Sequence, residues 1–222
     1  MKNWIVSAVV VIAVLIVIYF VRKYLIKKYT VELMKTLMED EEKFFNLLDS
    51  FKIKLLFQPF NREYLRLNNY IARGADKKIK EQIAVMDKMR VDRKQRFATY
   101  QTVFQYYLSQ DNETQARNMQ RKMNAFVDEN NLDPGLKEKM NMEIKMYFDK
   151  ALSTLPYIDQ NLEEASSDED KAVWNLRKAF VLKENNRLDE AKECMKIVVE
   201  CTSDPTMKKE MQDLLDNDLK DL

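Results

Sequence analysis

The hydrophobic pattern of the chain begins with an unbroken apolar run, Trp4 to Val21, in which Ser7 is the only clearly polar side chain and no residue is charged. A run of that length matches a hydrocarbon core of about 30 Å when it is helical. Backbone groups in lipid must be satisfied within the segment, so the expectation is one transmembrane helix. Trp4 at one end and Tyr19 and Tyr24 at the other suit the two interfaces. Arg22, Lys23, Lys27 and Lys28 flank only the C-terminal side. This asymmetry predicts the N-terminus outside the cell membrane and residues 22–222 in the cytoplasm. A cleaved signal peptide fits less well, because the basic residues follow the run instead of preceding it.

Beyond the run the period changes. Ile26, Tyr29, Leu33 and Leu37 recur at steps of three and four, which continues the helix to about residue 38 with one apolar stripe. The cluster Glu39-Asp40-Glu41-Glu42 suits a helix first turn, where the backbone dipole favours anions. The next helix is expected over 41–57, burying Phe44, Phe45, Leu48, Phe51 and Leu55, and Pro59 closes it. Alternation in Lys52-Ile53-Lys54-Leu55 also admits a short strand, but no partner strands are evident.

From there helices are expected in pairs: 60–73 with 75–89 across Gly74, and 94–108 with 113–129 across Asp111-Asn112. Asp133 and Pro134 open a helix running to about Leu152, followed by a shorter one from Thr154 and Pro156 to Ala165. Ser166-Ser167-Asp168-Glu169 starts a helix to Lys183. After Asn185-Asn186 comes Leu188–Cys201, and after Pro205 a last helix to about Leu219.

Composition supports helices throughout. Only 2 Gly and 4 Pro occur in 222 residues, too few for the tight turns of sheets, barrels or nucleotide-binding loops. The rest is rich in strong helix formers. The net charge of +1 carries no nucleic-acid signature, but its distribution is uneven. Residues 62–96 hold 11 Lys/Arg against 5 Asp/Glu, and residues 159–222 hold 10 against 17. A basic region close to the anchor allows contact with anionic lipid, although solvated helix faces give the same pattern. Cys194 and Cys201 lie seven apart on one expected helix, roughly 10 Å along its axis, too far to bridge and suited to core positions.

The segment Ala172–Val198 resembles a tetratricopeptide repeat. Trp174, Leu176, Ala179 and Phe180 fall where that family places an aromatic, a Leu and a small–aromatic pair on its first helix. Leu188, Asp189, Glu190, Ala191, Met195 and Val198 match the second helix. The segment departs in two extra residues before the turn and in Asn where Gly is usual. Ile79 and Ala116 occupy the position of Ala191 in weaker echoes, 37 residues apart and with a further 75 to Ala191; a missing member then falls near Thr154. The resemblance covers roughly 60–205 and implies a solenoid of antiparallel helix pairs, with Met207, Met211, Leu214 and Leu215 on a capping helix. An irregular helical bundle shares the same local periodicity and remains the alternative.

The expected fold class is therefore all-α: a single N-terminal transmembrane helix followed by a TPR-like solenoid. Residues 1–21 form the tail and span, 22–58 a juxtamembrane stalk, and 59–222 the repeat domain with its cap. The chain has no histidine, no Gly-rich phosphate loop and no CxxC pair, so neither an enzyme nor a cofactor or metal site is expected. Methionines at 119, 123, 140, 142 and 146, and the aromatic group Tyr100, Phe104, Tyr106 and Tyr107, read as core. The resemblance implies a concave surface that takes a peptide or helix of a protein partner. It places Asn175 and Lys178 on that surface, and by position Asn68, Asn69, Gln101 and Gln105. A membrane-anchored scaffold or adaptor is the function so implied. Two other functions fit the same chain: a self-assembling structural membrane protein similar to the spectrin-like septation-ring regulators, and an anionic-lipid surface sensor using 62–96.

Overall fold

The computed structural model describes the backbone of residues 2–220 and 222, and the side chains of residues 15–37, 39–220 and 222. Among the described residues the chain is all-helical, with no strand. The helices are α1 (Lys2–Glu39), α2 (Glu41–Leu48), α3 (Phe51–Leu56), α4 (Pro59–Ala72), α5 (Asp76–Asp87), α6 (Arg93–Ser109), α7 (Glu113–Glu129), α8 (Gly135–Tyr147), α9 (Leu155–Glu164), α10 (Asp168–Glu184), α11 (Leu188–Cys201) and α12 (Pro205–Asp216). A 3-10 turn, Leu152–Thr154, precedes α9. Compact packing divides the chain into residues 1–99 and 100–222, a division inside α6, so the 58/59 boundary drawn from sequence falls within the first unit.

In the first unit, α1 carries the apolar run. The side chains of the run's residues 4–14 lie outside those described, and residues 15–21 are exposed. Among the described residues no helix is long and apolar enough to cross a membrane. Further along α1, Leu33 is fully buried with Phe44 and Leu48 of α2 and Ile53 of α3. Tyr29, Leu37 and Leu65 pack against them, so the stripe expected at 29, 33 and 37 does face a core.

The single helix expected over 41–57 is instead two. Asp40 caps α2 by accepting from the Lys43 N–H at 3.0 Å. After Asp49, Ser50 is extended and accepts from the Ile53 N–H at 3.4 Å, which starts α3 in a new phase. Ile53 therefore takes the core position, whereas Phe51 and Leu55, expected to be buried, are 79% and 70% exposed. α4 ties off the end of α1: Asn69 Nδ2 and Arg73 Nη2 donate to the Leu37 carbonyl at 3.3 and 3.5 Å.

In the second unit the aromatic group of α6 is buried as expected, and Tyr100 meets Phe126 of α7 edge-on at 5.6 Å. Met119, Met123, Met140 and Met146 are buried and Met142 is half-buried. One core joins Ala179 and Leu182 of α10 to Ala191, Cys194, Met195 and Val198 of α11, closed by Leu219. Met211, Leu214 and Leu215 of α12 pack on it, but Met207 is 54% exposed and does not. Another core joins Met146, Ile158 and Val181. Helix α8 stops at Tyr147, short of the expected Leu152. Lys150 takes a positive φ of 49°, and its carbonyl accepts from Asn185 Nδ2 at 2.7 Å, which holds the chain out of helical register.

Three hairpin turns share one geometry, which also ends α7 at Asn131 (φ 48°, Leu132 N–H to the Val127 carbonyl at 3.0 Å) and α12 at Asp218 (φ 55°, Leu219 N–H to the Leu214 carbonyl at 2.9 Å). Residues 73–75, 110–112 and 185–187 connect α4 to α5, α6 to α7 and α10 to α11. In each the middle residue has positive φ: Gly74 at 62°, Asp111 at 49° and Asn186 at 60°. In each the next N–H reaches back five residues, Ala75 to Tyr70, Asn112 to Tyr107 and Arg187 to Leu182, all at 2.9 Å. These bonds satisfy carbonyls at the end of the first helix and reverse the chain. In each, the fourth residue of the following helix, Ile79, Ala116 or Ala191, is fully buried. Thr154, 38 residues after Ala116 and 37 before Ala191, is also fully buried, at the entry to α9.

Candidate functional site

The second unit contains a pocket of about 200 Å³ lined by Met146 and Tyr147 of α8, Leu176, Arg177 and Phe180 of α10, and Leu222. The lining is almost wholly apolar, and among the described residues Arg177 supplies its charged side chain. The phase of α10 explains why: Ser167 caps the helix by accepting from the Asp170 N–H at 3.0 Å. That start places Ala179 and Leu182 in one core and Val181 in the other. Leu176 and Phe180 pack at the edges of those cores and also line the pocket. Lys183 Nζ donates to the Leu222 carbonyl at 3.0 Å, holding that residue against the cavity.

Next to the pocket α8 buries a carboxylate. Glu143 is 4% exposed, and Gln105 Nε2 of α6 donates to its Oε2 at 3.0 Å. Burial pushes the Glu143 carboxyl above its ordinary range, opposed by the nearby charges of Arg177 and Lys139 and by the Gln105 hydrogen bond. Arg177 lies over the Trp174 ring at 4.5 Å, and Tyr157 meets Trp174 edge-on at 5.8 Å. Burial, with the neighbouring Glu143 charge, raises the Tyr157 phenol as well. The arrangement is an apolar recess with the Arg177 cation in its lining and the buried Glu143 carboxyl near that cation. It suits recognition of an apolar side chain beside a carbonyl or carboxylate. Among the described residues no cluster of His, Cys, Asp or Glu could hold a metal ion.

The residues expected from sequence fare unevenly. Gln105 belongs to the site through Glu143, and Gln101 is exposed on the same helix. Asn175 is buried and donates to the Lys171 carbonyl of its own helix at 2.9 Å, so it presents no free amide. Lys178 is half-buried and pairs with Asp159 of α9 at 2.6 Å. Asn68 and Asn69 lie on α4 in the first unit; Asn69 is fully buried with its amide on the Leu37 carbonyl of α1, and Asn68 is half-buried. Arg22, Lys23, Lys27 and Lys28 are all exposed on α1. Sequence reasoning missed Glu143 and Arg177. A signal existed: Met140, Glu143, Ile144 and Tyr147 fall at helical i, i+3, i+4 and i+7, which places an acid on an apolar stripe.

Fold and site together define an all-helical protein with hairpins of repeated turn geometry and an apolar pocket edged by charge. Comparison with protein-family models, with curated proteins and with solved structures finds no match for this chain.

Proposed function

We propose that the chain is a membrane-anchored protein–protein interaction module, a scaffold or adaptor, whose TPR-like second unit receives an apolar side chain of a partner peptide or helix. The apolar pocket with Arg177 in its lining carries this reading. Its size suits one large side chain, and a guanidinium edge supplies fork-like donors for a carbonyl or carboxylate. The fully buried fourth residue after the turns at Gly74, Asp111 and Asn186, which is Ile79, Ala116 or Ala191, supports the tetratricopeptide resemblance, because stacked hairpins need a sealed position there. The apolar run 4–21 with its one-sided cations supports an anchor with the N-terminus outside and the rest cytoplasmic.

The lipid-sensor reading is less favoured. Arg66 pairs with Asp49 and Glu63, Arg73 and Lys78 with Glu41, and Arg96 with Asp87, so part of the 62–96 charge is engaged within the protein. Photo-crosslinking from a benzophenone amino acid at Tyr147, in full-length protein in its native membranes, tests the pocket. The expected result is a discrete adduct that Leu176→Asp abolishes and Val173→Asp, at an exposed position of the same helix, preserves. Absence of an adduct, or one indifferent to Leu176→Asp, refutes the assignment.

A further inference from the structure

The first unit turns an apolar tip toward the membrane-facing part of α1. Helix α3 is fastened by Ile53, which is fully buried against Leu33, Phe44 and Leu48. Phe51 and Leu55, one helical turn apart on the other side of α3, are left exposed. The chain then runs Leu55-Leu56-Phe57-Gln58-Pro59-Phe60 before α4 turns away. Leu55 and Leu56 share an open groove of about 390 Å³ with Val17, Ile18, Val21, Arg22 and Leu25 of α1. Val17 and Ile18 sit inside the apolar run, about 6–7.5 Å before Arg22 along the helix. The groove therefore straddles the level at which the run ends.

We propose that this tip is a second membrane contact, with Phe51, Leu55 and the open groove seated in the bilayer leaflet on the Arg22 side of the apolar run. The inference rests on reading residues 4–21 as a span. A tip that lines one groove with Val17, Ile18, Val21, Arg22 and Leu25 then lies at the depth where the apolar run gives way to its basic flank. Interfacial elements of this kind bury apolar side chains about 5–10 Å into the headgroup–acyl boundary. The charge pattern agrees: no acid occurs from Phe51 to Arg62, while Lys52 and Lys54 on the tip join Arg22, Lys23, Lys27 and Lys28 of α1. Lys52 and Lys54 are exposed, and long cationic side chains can return their charge to the headgroups while their stems stay in lipid. Two contacts with one leaflet would fix the tilt and rotation of the first unit, which a lone helix leaves open.

Bimane labels at Phe51→Cys, Leu55→Cys, Val17→Cys and Glu200→Cys, each in a Cys194→Ala, Cys201→Ala background, test this in the full chain. The protein is reconstituted in phosphatidylcholine–phosphatidylserine vesicles, with and without lipid brominated near the headgroup. The expected result is blue-shifted emission and bromine quenching at 51 and 55 comparable to that at 17, with none at 200. Quenching at 17 but not at 51 and 55 overturns the inference and leaves the span standing. Quenching at 51 and 55 but not at 17 supports the contact and refutes the span. Absence of quenching at all three refutes both. A blue shift at 51 and 55 that follows protein concentration without bromine quenching means that a second copy covers the tip, and also overturns the inference.

Discussion

Ala191 packs in the core that α10 and α11 share. It is fully buried, as are Ala179 and Met195, with Leu182 and Val198 beside them in one core. Replacing it by Leu adds three carbons. If the core had room, burying them would stabilise the fold by about 2.4 kcal/mol, at about 0.8 kcal/mol for each. If two helices are in contact through small residues there, overpacking destabilises by about 1–3 kcal/mol. The packing predicts the second outcome for Ala191→Leu. Ala191→Gly should also destabilise, by roughly 2 kcal/mol: about 1 for lost helix propensity and about 0.8 for the buried methyl. The control is Lys196→Leu, at an exposed position of the same helix, expected within about 0.5 kcal/mol of the parent. Urea denaturation of the full chain in mild detergent reads the effect. A Trp4→Phe background leaves Trp174 of α10 as the sole tryptophan reporter, since the chain has 2 Trp. An Ala191→Leu protein as stable as its parent, or more so, would refute the close approach, and with it the argument that a small residue is needed at this position of the hairpin.

Other expectations follow from single side chains. Asp111 and Asn186 hold positive φ without being glycine, so Asp111→Gly and Asn186→Gly should each stabilise by up to about 1 kcal/mol, and Gly74→Ala should destabilise by about as much, all measured by denaturant titration. Arg96 donates to the Met86 carbonyl and, at 2.6 Å, to the Met89 carbonyl at the end of α5, and its loss in Arg96→Met should destabilise by about 3 kcal/mol and speed amide exchange around Lys88–Arg90. Glu143 has a raised pKa in the folded state, so the fold binds its proton more tightly than the unfolded chain does. Its stability contribution is complete below the ordinary value of 4.5 and is lost as pH rises through the raised one. The melting temperature of Glu143→Gln relative to the parent should therefore climb as pH rises from 4.5 through the raised value and then level off; a difference that is flat, or falls with pH, contradicts the assignment.

Much of the helix pattern was legible because it depends on local signals. Asn112, Ser167 and Asp204 each stop one segment and cap the next, and the pairs around Gly74, Asp111 and Asn186 follow from such stops. The departures begin where a local window misleads. Ser50 reads locally as a helix-interior residue, but its extended backbone shifts the phase of everything to Leu56, exchanging Phe51 and Leu55 for Ile53 in the core. The expected helix to Leu152 fails on Lys150, whose carbonyl is held by Asn185 from 35 residues away, a tertiary contact that no local window contains. The candidate amides fail for a similar reason. Asn69 and Asn175 have the exposure of core residues because each bonds a backbone carbonyl, Asn69 that of Leu37 on another helix.

The turns show how a repeated structure can persist beneath sequences that barely repeat. Gly74, Asp111 and Asn186 have no side chain in common, and Ile79 differs from Ala116 and Ala191. What recurs is a positive φ and a bond back across five residues, followed by a side chain that is sealed from solvent. Glycine meets the first requirement through its missing Cβ, and Asp and Asn meet it because they tolerate the left-handed region better than other side chains. The buried position accepts any apolar group that its own neighbours leave room for, so Ile fits one hairpin and Ala another. The hairpin of α10 and α11 therefore closes around two small residues, Ala179 and Ala191, and that of α4 and α5 makes the same reversal around a larger side chain, Ile79. Exchanging the middle turn residues, Gly74→Asn with Asn186→Gly, should leave both hairpins folded, since backbone conformation and not side-chain identity is what the reversal requires; unfolding of either pair, read by amide exchange, would show that the side chains matter in themselves.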